Sequence, residues 1–142
     1  MVMVLVVIGV VAALAGPLFR DFIIQQNIRN AAFELMSDLT YARSEAVKRN
    51  ASVTVSKVGS GTWGAGGWKV VSGTATLRQH PAVSGNVTLT MASSSIDFNL
   101  NGRASSAASF VIDDAGGKAS ITARCVSVDT AGRPVSTEGS CP

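Results

Sequence analysis

The first nineteen residues, Met1 to Phe19 (MVMVLVVIGVVAALAGPLF), contain no charged side chain, and their only helix breaker is Pro17. At ~1.5 Å rise per residue such a run nearly crosses a hydrocarbon core of ~30 Å, with every backbone polar group satisfied inside the helix. A soluble domain this small has no need of it. No polar linker follows, because the pattern passes through Pro17 and Arg20-Asp21 straight into an amphipathic stretch. One continuous helical rod is therefore expected, kinked at Pro17.

From Arg20 to about Lys48 the residues Ile24, Ile28, Ala31, Ala32, Leu35, Leu39, Ala42 and Ala46 recur at steps of three and four, with Gln25, Arg29, Glu34, Arg43 and Lys48 largely elsewhere. That period defines one buried stripe. Ile28, Leu35, Leu39 and Ala42 are the positions expected beneath a sheet. Lys48 and Arg49 suit the negative end of the helix dipole, Glu45 and Arg49 form an i,i+4 pair, and Asn50 is the expected stop. A competing reading of the N-terminus is a secretory signal cut after Ala13-Leu14-Ala15. No basic residue precedes the apolar run and the helical pattern does not stop there, so a retained anchor is expected.

A chain of 142 residues with such an anchor leaves roughly 95 to 120 residues for a folded part, enough for a single head. The expected organisation is an apolar half-helix over 1–19, an amphipathic half over 20–50 and a β-rich head over 51–142. Twelve basic against nine acidic residues give a net charge of +3, a mild excess that reads as ordinary solubility charge. Cys125 and Cys141 have no neighbouring histidine or third thiol with which to complete a zinc site, so a disulfide is expected. Closing such a loop contributes about 3 kcal/mol in the chain-entropy model and implies an oxidising compartment.

After Asn50 the period changes to two. Val53–Val58 and Trp68–Val71 read as a hairpin joined by a long Gly-rich loop. Ala75–Leu77, Val87–Met91, Ser95–Leu100, Phe110–Asp113 and Ala119–Val128 follow as short antiparallel strands. Asn101-Gly102 is the sharpest turn, of the type I′ kind. Gly132-Arg133-Pro134 is read as breaking the last segment, ahead of a tail ending at Cys141-Pro142. Gly59-x-Gly61-x-x-Gly64 matches a dinucleotide fingerprint in form only, since a strand and not a helix is expected after it.

Little in the chain suggests chemistry. The single histidine, His80, precedes Pro81 in what reads as a solvent-facing loop, and no Ser-His-Asp or Cys-His set has local support. Asp113 and Asp114, adjacent on a strand, point to opposite faces and are expected to open the turn at Gly116-Gly117. Trp63 and Trp68 with Lys57, Lys69 and Arg78 could stack and neutralise single-stranded nucleic acid; the favoured reading puts Trp68 in the core and Trp63 over a loop. No catalytic residue, metal, cofactor or small-molecule substrate is expected.

The run ending Ala-Gly-Pro17-Leu-Phe19, the helix segments Ala32-Phe33-Glu34-Leu35 and Leu39-Thr-Tyr41-Ala-Arg43-Ser-Glu45-Ala46-Val47-Lys48-Arg49, and Gly67-Trp68 together resemble the GspH/FimT family of type IV pilin-like proteins. Ala42-Arg43-Ser44-Glu45-Ala46 is the most specific part, and Gly132-Arg133 with Cys141 resembles the family's C-terminal end. The resemblance implies an α+β pilin-like fold, a long N-terminal helix under an antiparallel head. It also implies a minor pilin or pseudopilin, held in the bacterial inner membrane by a single pass with its head in the periplasm, whose partners are other pilins or pseudopilins in a filament.

The family's basic leader, peptidase-site glycine, following phenylalanine and registering glutamate have no counterpart in this sequence, where Met1 falls just inside the apolar segment. In the tail, members implicated in DNA uptake resemble one another in a Gly-Arg-x-Arg element. This chain reads Gly132-Arg133-Pro134-Val135, which keeps one arginine of the two. The resemblance therefore implies at most weak DNA binding, through Arg133 helped by Arg124 or Lys118. A type II secretion pseudopilin is the other alternative.

Overall fold

The computed structural model describes residues 2–83 and 85–142, and the side chains of residues 2, 5 and 10–18 also lie outside the described set. The expected kink at Pro17 is among these and lies outside the described residues. Helix α1 runs from Val2 to Arg49. It stops where Asn50 takes a left-handed conformation, φ 49°. The amide of Asn50 donates to the carbonyl of Val47 and that of Ala51 to Ala46, the paired capping bonds of a Schellman end.

The head consists of two four-stranded antiparallel sheets. One has the order β3-β2-β1-β5, from β1 (Val53–Lys57), β2 (Trp68–Ser72), β3 (Ala75–His80) and β5 (Ser95–Phe98). The other has the order β4-β6-β7-β8, from β4 (Val87–Met91), β6 (Ala108–Asp114), β7 (Arg124–Val128) and β8 (Pro134–Glu138). Alternation along the strands aims Val53, Val55, Trp68, Val70, Ile96 and Phe98 of the first sheet into one core. Leu89, Phe110, Ile112, Val126 and Val128 of the second sheet join them, as the period of two requires. The inward stripe of α1 completes this core: Ile28, Leu35, Leu39, Ala42 and Ala46 are fully covered.

Several sequence expectations need correction. The tail after Pro134 is a strand, β8, paired with β7 from Val128 opposite Pro134 to Arg124 opposite Glu138; proline is tolerated at the first residue of an edge strand. Residues 119–123 are not strand. Gln25 of α1 donates to the carbonyl of Thr122 at 3.0 Å and accepts its amide at 2.9 Å, so at Thr122 a helix side chain stands where a strand partner would. The Gly-rich loop contains one helical turn, α2 (Trp63–Gly66). At Asn101-Gly102 the turn closes from Gly102 to the carbonyl of Asn99 at 2.8 Å. Only Gly102 of the two has positive φ, so the turn is not type I′. The Asn99 side chain accepts the amides of Asn101 and Arg103, each at 3.0 Å.

His80 is not in a solvent-facing loop: it ends β3, and its ring stacks on Trp68 at 4.0 Å with 3° between the planes. The turn before Trp68 depends on Gly67, φ 74°, where a Cβ would overlap the carbonyl oxygen of His80. Trp63 does not merely cover a loop. It is buried edge-on against Phe110, centroids 5.0 Å apart at 88°, and its Nε1–H donates to the carbonyl of Ser93 at 2.9 Å. With both tryptophans in the core, neither ring offers a stacking platform for bases. Asp114 is buried and its Oδ2 accepts the amide of Lys118 at 3.1 Å, while Asp113 accepts the amide of Asp114 at 2.7 Å. These two carboxylates shape the turn at Gly116-Gly117.

Candidate assembly surface

At ~100° per residue along a helix, Ile24, Ile28, Ala31, Leu35, Leu39, Ala42 and Ala46 occupy one side of α1. Phe19, Phe22, Ile23 and Phe33 fall on the other. Their environments follow: the first set is at most 5 % exposed, whereas Phe22 is 65 % and Phe33 73 % exposed. Farther toward the N-terminus Met3, Val4, Val6, Val7 and Ile8 are exposed as well. Among the described residues no helix is long and apolar enough to cross a membrane.

Beyond Phe33 the outward face changes character. Thr40 donates its hydroxyl back to the carbonyl of Met36 at 2.8 Å, and Ser44 to that of Thr40 at 2.9 Å. Both hydroxyl hydrogens are thereby used within the helix. Two shallow hollows run along this face, one of about 270 Å³ beside Phe33, Met36, Ser37 and Thr40 and one of about 430 Å³ beside Thr40, Arg43, Ser44, Val47 and Lys48. The exposed apolar residues Phe19, Phe22, Ile23 and Phe33, on a helix whose opposite side is filled, form a strip suited to another apolar surface. Among the described residues no three His, Cys, Asp or Glu side chains are grouped to hold a metal ion.

The three cations considered for DNA are each engaged with a carboxylate. Lys118 binds Asp21 of α1 at 2.6 Å, and Ser120 adds a hydroxyl bond to the same carboxylate at 3.0 Å. The Lys118 bond, then that of Ser120, holds Asp21 below its ordinary pKa. Arg124 binds Glu138 across the β7–β8 ladder at 3.0 Å. Arg133 binds Asp129 at 3.1 Å, and its amide donates to the same side chain at 2.9 Å. That backbone bond is the leading cause of Asp129's lowered pKa. Arg124 and Arg133 stand at opposite ends of one hairpin, so the structure does not bring the three together. Arg133 lies instead beside the 99–104 turn, because Gly132 packs on the Gly102 carbonyl and Gly102 on the Arg43 side chain.

Cys125 of β7 is bonded to Cys141, with Cα atoms 5.0 Å apart. This tie fixes the tail that follows β8. Sequence reasoning missed Phe22 and Phe33 as surface residues. The signal was available, since both fall out of phase with the buried stripe. It also missed Asp38, a buried carboxylate that accepts Trp68 Nε1–H at 2.8 Å and Arg78 Nη1–H at 2.7 Å.

Residues 31–132 match the sequence model of a family described as Type II transport protein GspH. Two solved structures are similar, both of the Pseudomonas aeruginosa (strain PAO1) type IV minor pilin FimU. The crystal in space group P21 is 28 % identical with a TM-score of 0.67, over 78 % of this chain and 87 % of that one. The crystal in P65 is 27 % identical with a TM-score of 0.64, over 77 % and 91 %. No curated protein matches the chain.

Proposed function

Since the chain belongs to the type II transport protein GspH family and is a minor pilin or pseudopilin subunit, we propose that it enters a filament by packing the outward face of α1 against the helices of other pilins. The observation that carries this reading is the pair of phenylalanines, Phe22 and Phe33, left largely exposed on a helix whose inward side is full. Residues 1–19 hold the subunit in the bacterial inner membrane until assembly, 20–50 form the bridge, and 51–142 are the periplasmic head. The Cys125–Cys141 disulfide supports that compartment. The subunit performs no reaction; its work is packing. The host machine is a type IV pilus, a choice supported by the two minor pilin structures. Co-purification with pilus subunits and not with secretion-system subunits is the expected result.

The test of the packing surface is the Phe22→Asp, Phe33→Asp double variant of the full chain. A carboxylate forced into an apolar contact costs several kcal/mol, so incorporation into filaments should fall at least ~10-fold. The melting temperature of the head should not change. Wild-type incorporation by a folded double variant would remove this face from the assembly.

A further inference from the structure

Strand β3 is the edge of its sheet and has no buried residue. Its attachment to α1 is polar, through helix residues Glu34, Asp38 and Tyr41, spaced so that they share one side. Asp38 binds Arg78 at 2.7 Å, and the Arg78 guanidinium lies 4.2 Å over the Tyr41 ring. The Asp38 bond raises the Arg78 pKa above an already high ordinary value, so this contact is insensitive to ordinary changes of pH.

One turn nearer the N-terminus of the helix the contact is of another kind. His80 Nε2 is 2.9 Å from Glu34 Oε2, and His80 Nδ1 is 2.8 Å from the Pro81 carbonyl oxygen. An ionised carboxylate and a carbonyl both only accept hydrogen bonds. Neutral imidazole has one N–H to give, so in either tautomer one ring lone pair faces an oxygen lone pair. Imidazolium satisfies both contacts, the one to Glu34 with the added strength of charge.

We propose that His80 and Glu34 form a proton-operated clasp: the doubly protonated ring fastens the end of β3 and the segment following it to α1, and loss of one proton releases them. The other groups around the ring do not offset this. From α1, Asp38 is committed to Trp68 and Arg78; from β3, Arg78 is committed to Asp38; from β2, the Trp68 ring stacks on His80 while Lys69 alternates to the opposite face. The contact is therefore complete when both ring nitrogens are protonated and loses one of its two hydrogen bonds when a proton leaves, so it holds better in acid. A cavity of about 310 Å³ bordered by Asn27, Asn30, Glu34, His80 and Val83 gives the released segment room to move. Release would also loosen an edge strand, the element of a sheet most ready to pair with another chain.

His80 is the only histidine, so its ring nitrogens give unambiguous ¹⁵N signals in the full chain in detergent micelles. A pH series should show both nitrogens protonated at its acid end and one at its alkaline end. Over that range the protection of β3 amides against hydrogen exchange, corrected for intrinsic rates, should fall ~3- to 10-fold. Glu34→Gln supplies an amide that can turn to meet a neutral ring, and His80→Phe keeps the stack on Trp68 without a titrating group; each should abolish the pH dependence. A neutral ring at the acid end, pH-independent protection in the wild type, or pH dependence that survives in His80→Phe would overturn the clasp.

Discussion

The two sides of α1 carry the same class of residue and meet opposite environments. Ile28, Leu35 and Leu39 are wholly covered by the chain's own sheets, while Phe22 and Phe33, larger and as apolar, face outward. Hydrophobicity does not separate the two groups. Phase along the helix does, because only residues in step with Ile28 and Leu35 point at the sheets. The inward side is a folding surface, its gain realised within one chain, and the outward side is left uncovered by that chain, which is why it is the face proposed for assembly.

The sharpest way to break this distinction is to place the same charge on each side. Leu35→Asp should destabilise the head by about 4 kcal/mol or more, because it leaves an unpaired carboxylate in a packed core. Phe33→Asp should change stability by no more than about 0.5 kcal/mol. Paired denaturant melts of the two variants measure both, and equal losses would erase the difference between the faces. A milder probe is size. Ala42 is fully covered where the helix approaches the sheets, so Ala42→Leu should cost about 1–3 kcal/mol through overpacking. Ser44→Leu, two residues on and outward, should leave the denaturation midpoint nearly unchanged.

The smallest effect concerns the margins where helix meets head. Asp21, bonded to Lys118, and Glu45, bonded to Arg49, have pKa values held below their ordinary ones. A lowered folded value means that each pair contributes stability above the ordinary carboxylate range and loses it as pH falls through the folded value. Melting temperature should therefore decline on the acid side of that range, and less steeply in high salt. Lys118→Ala should reduce the Asp21 share to what the Ser120 hydroxyl still supplies. This slope is opposite in sign to that of the His80 clasp, so the two can be told apart in one titration series.

The parts of the fold that were legible in the sequence are those set by local period and local turn chemistry. The stripe from Ile24 to Ala46, the stop at Asn50 and the alternation in β1, β2, β4 and β6 all follow from neighbours within a few residues. The errors have long-range causes. Residues 119–123 have strand-like composition, but Gln25, about a hundred positions away, occupies the backbone groups of Thr122. β8 was hidden by Pro134, which is harmless only because the strand is an edge. His80 read as exposed because its partners, Glu34 and Trp68, are distant in the chain.

Sequence by itself determined that a long apolar run would continue as an amphipathic helix beneath an antiparallel head, because helical and strand periods are properties of the local chain. Only the tertiary structure decided which polar groups meet. It bound Lys118 to Asp21, Arg124 to Glu138 and Arg133 to Asp129, and so separated and engaged the cations that had read as a shared anionic-ligand surface. It also brought both nitrogens of the one histidine against acceptors. Such pairings depend on how two sheets and a helix close on one another in space, which no local pattern encodes.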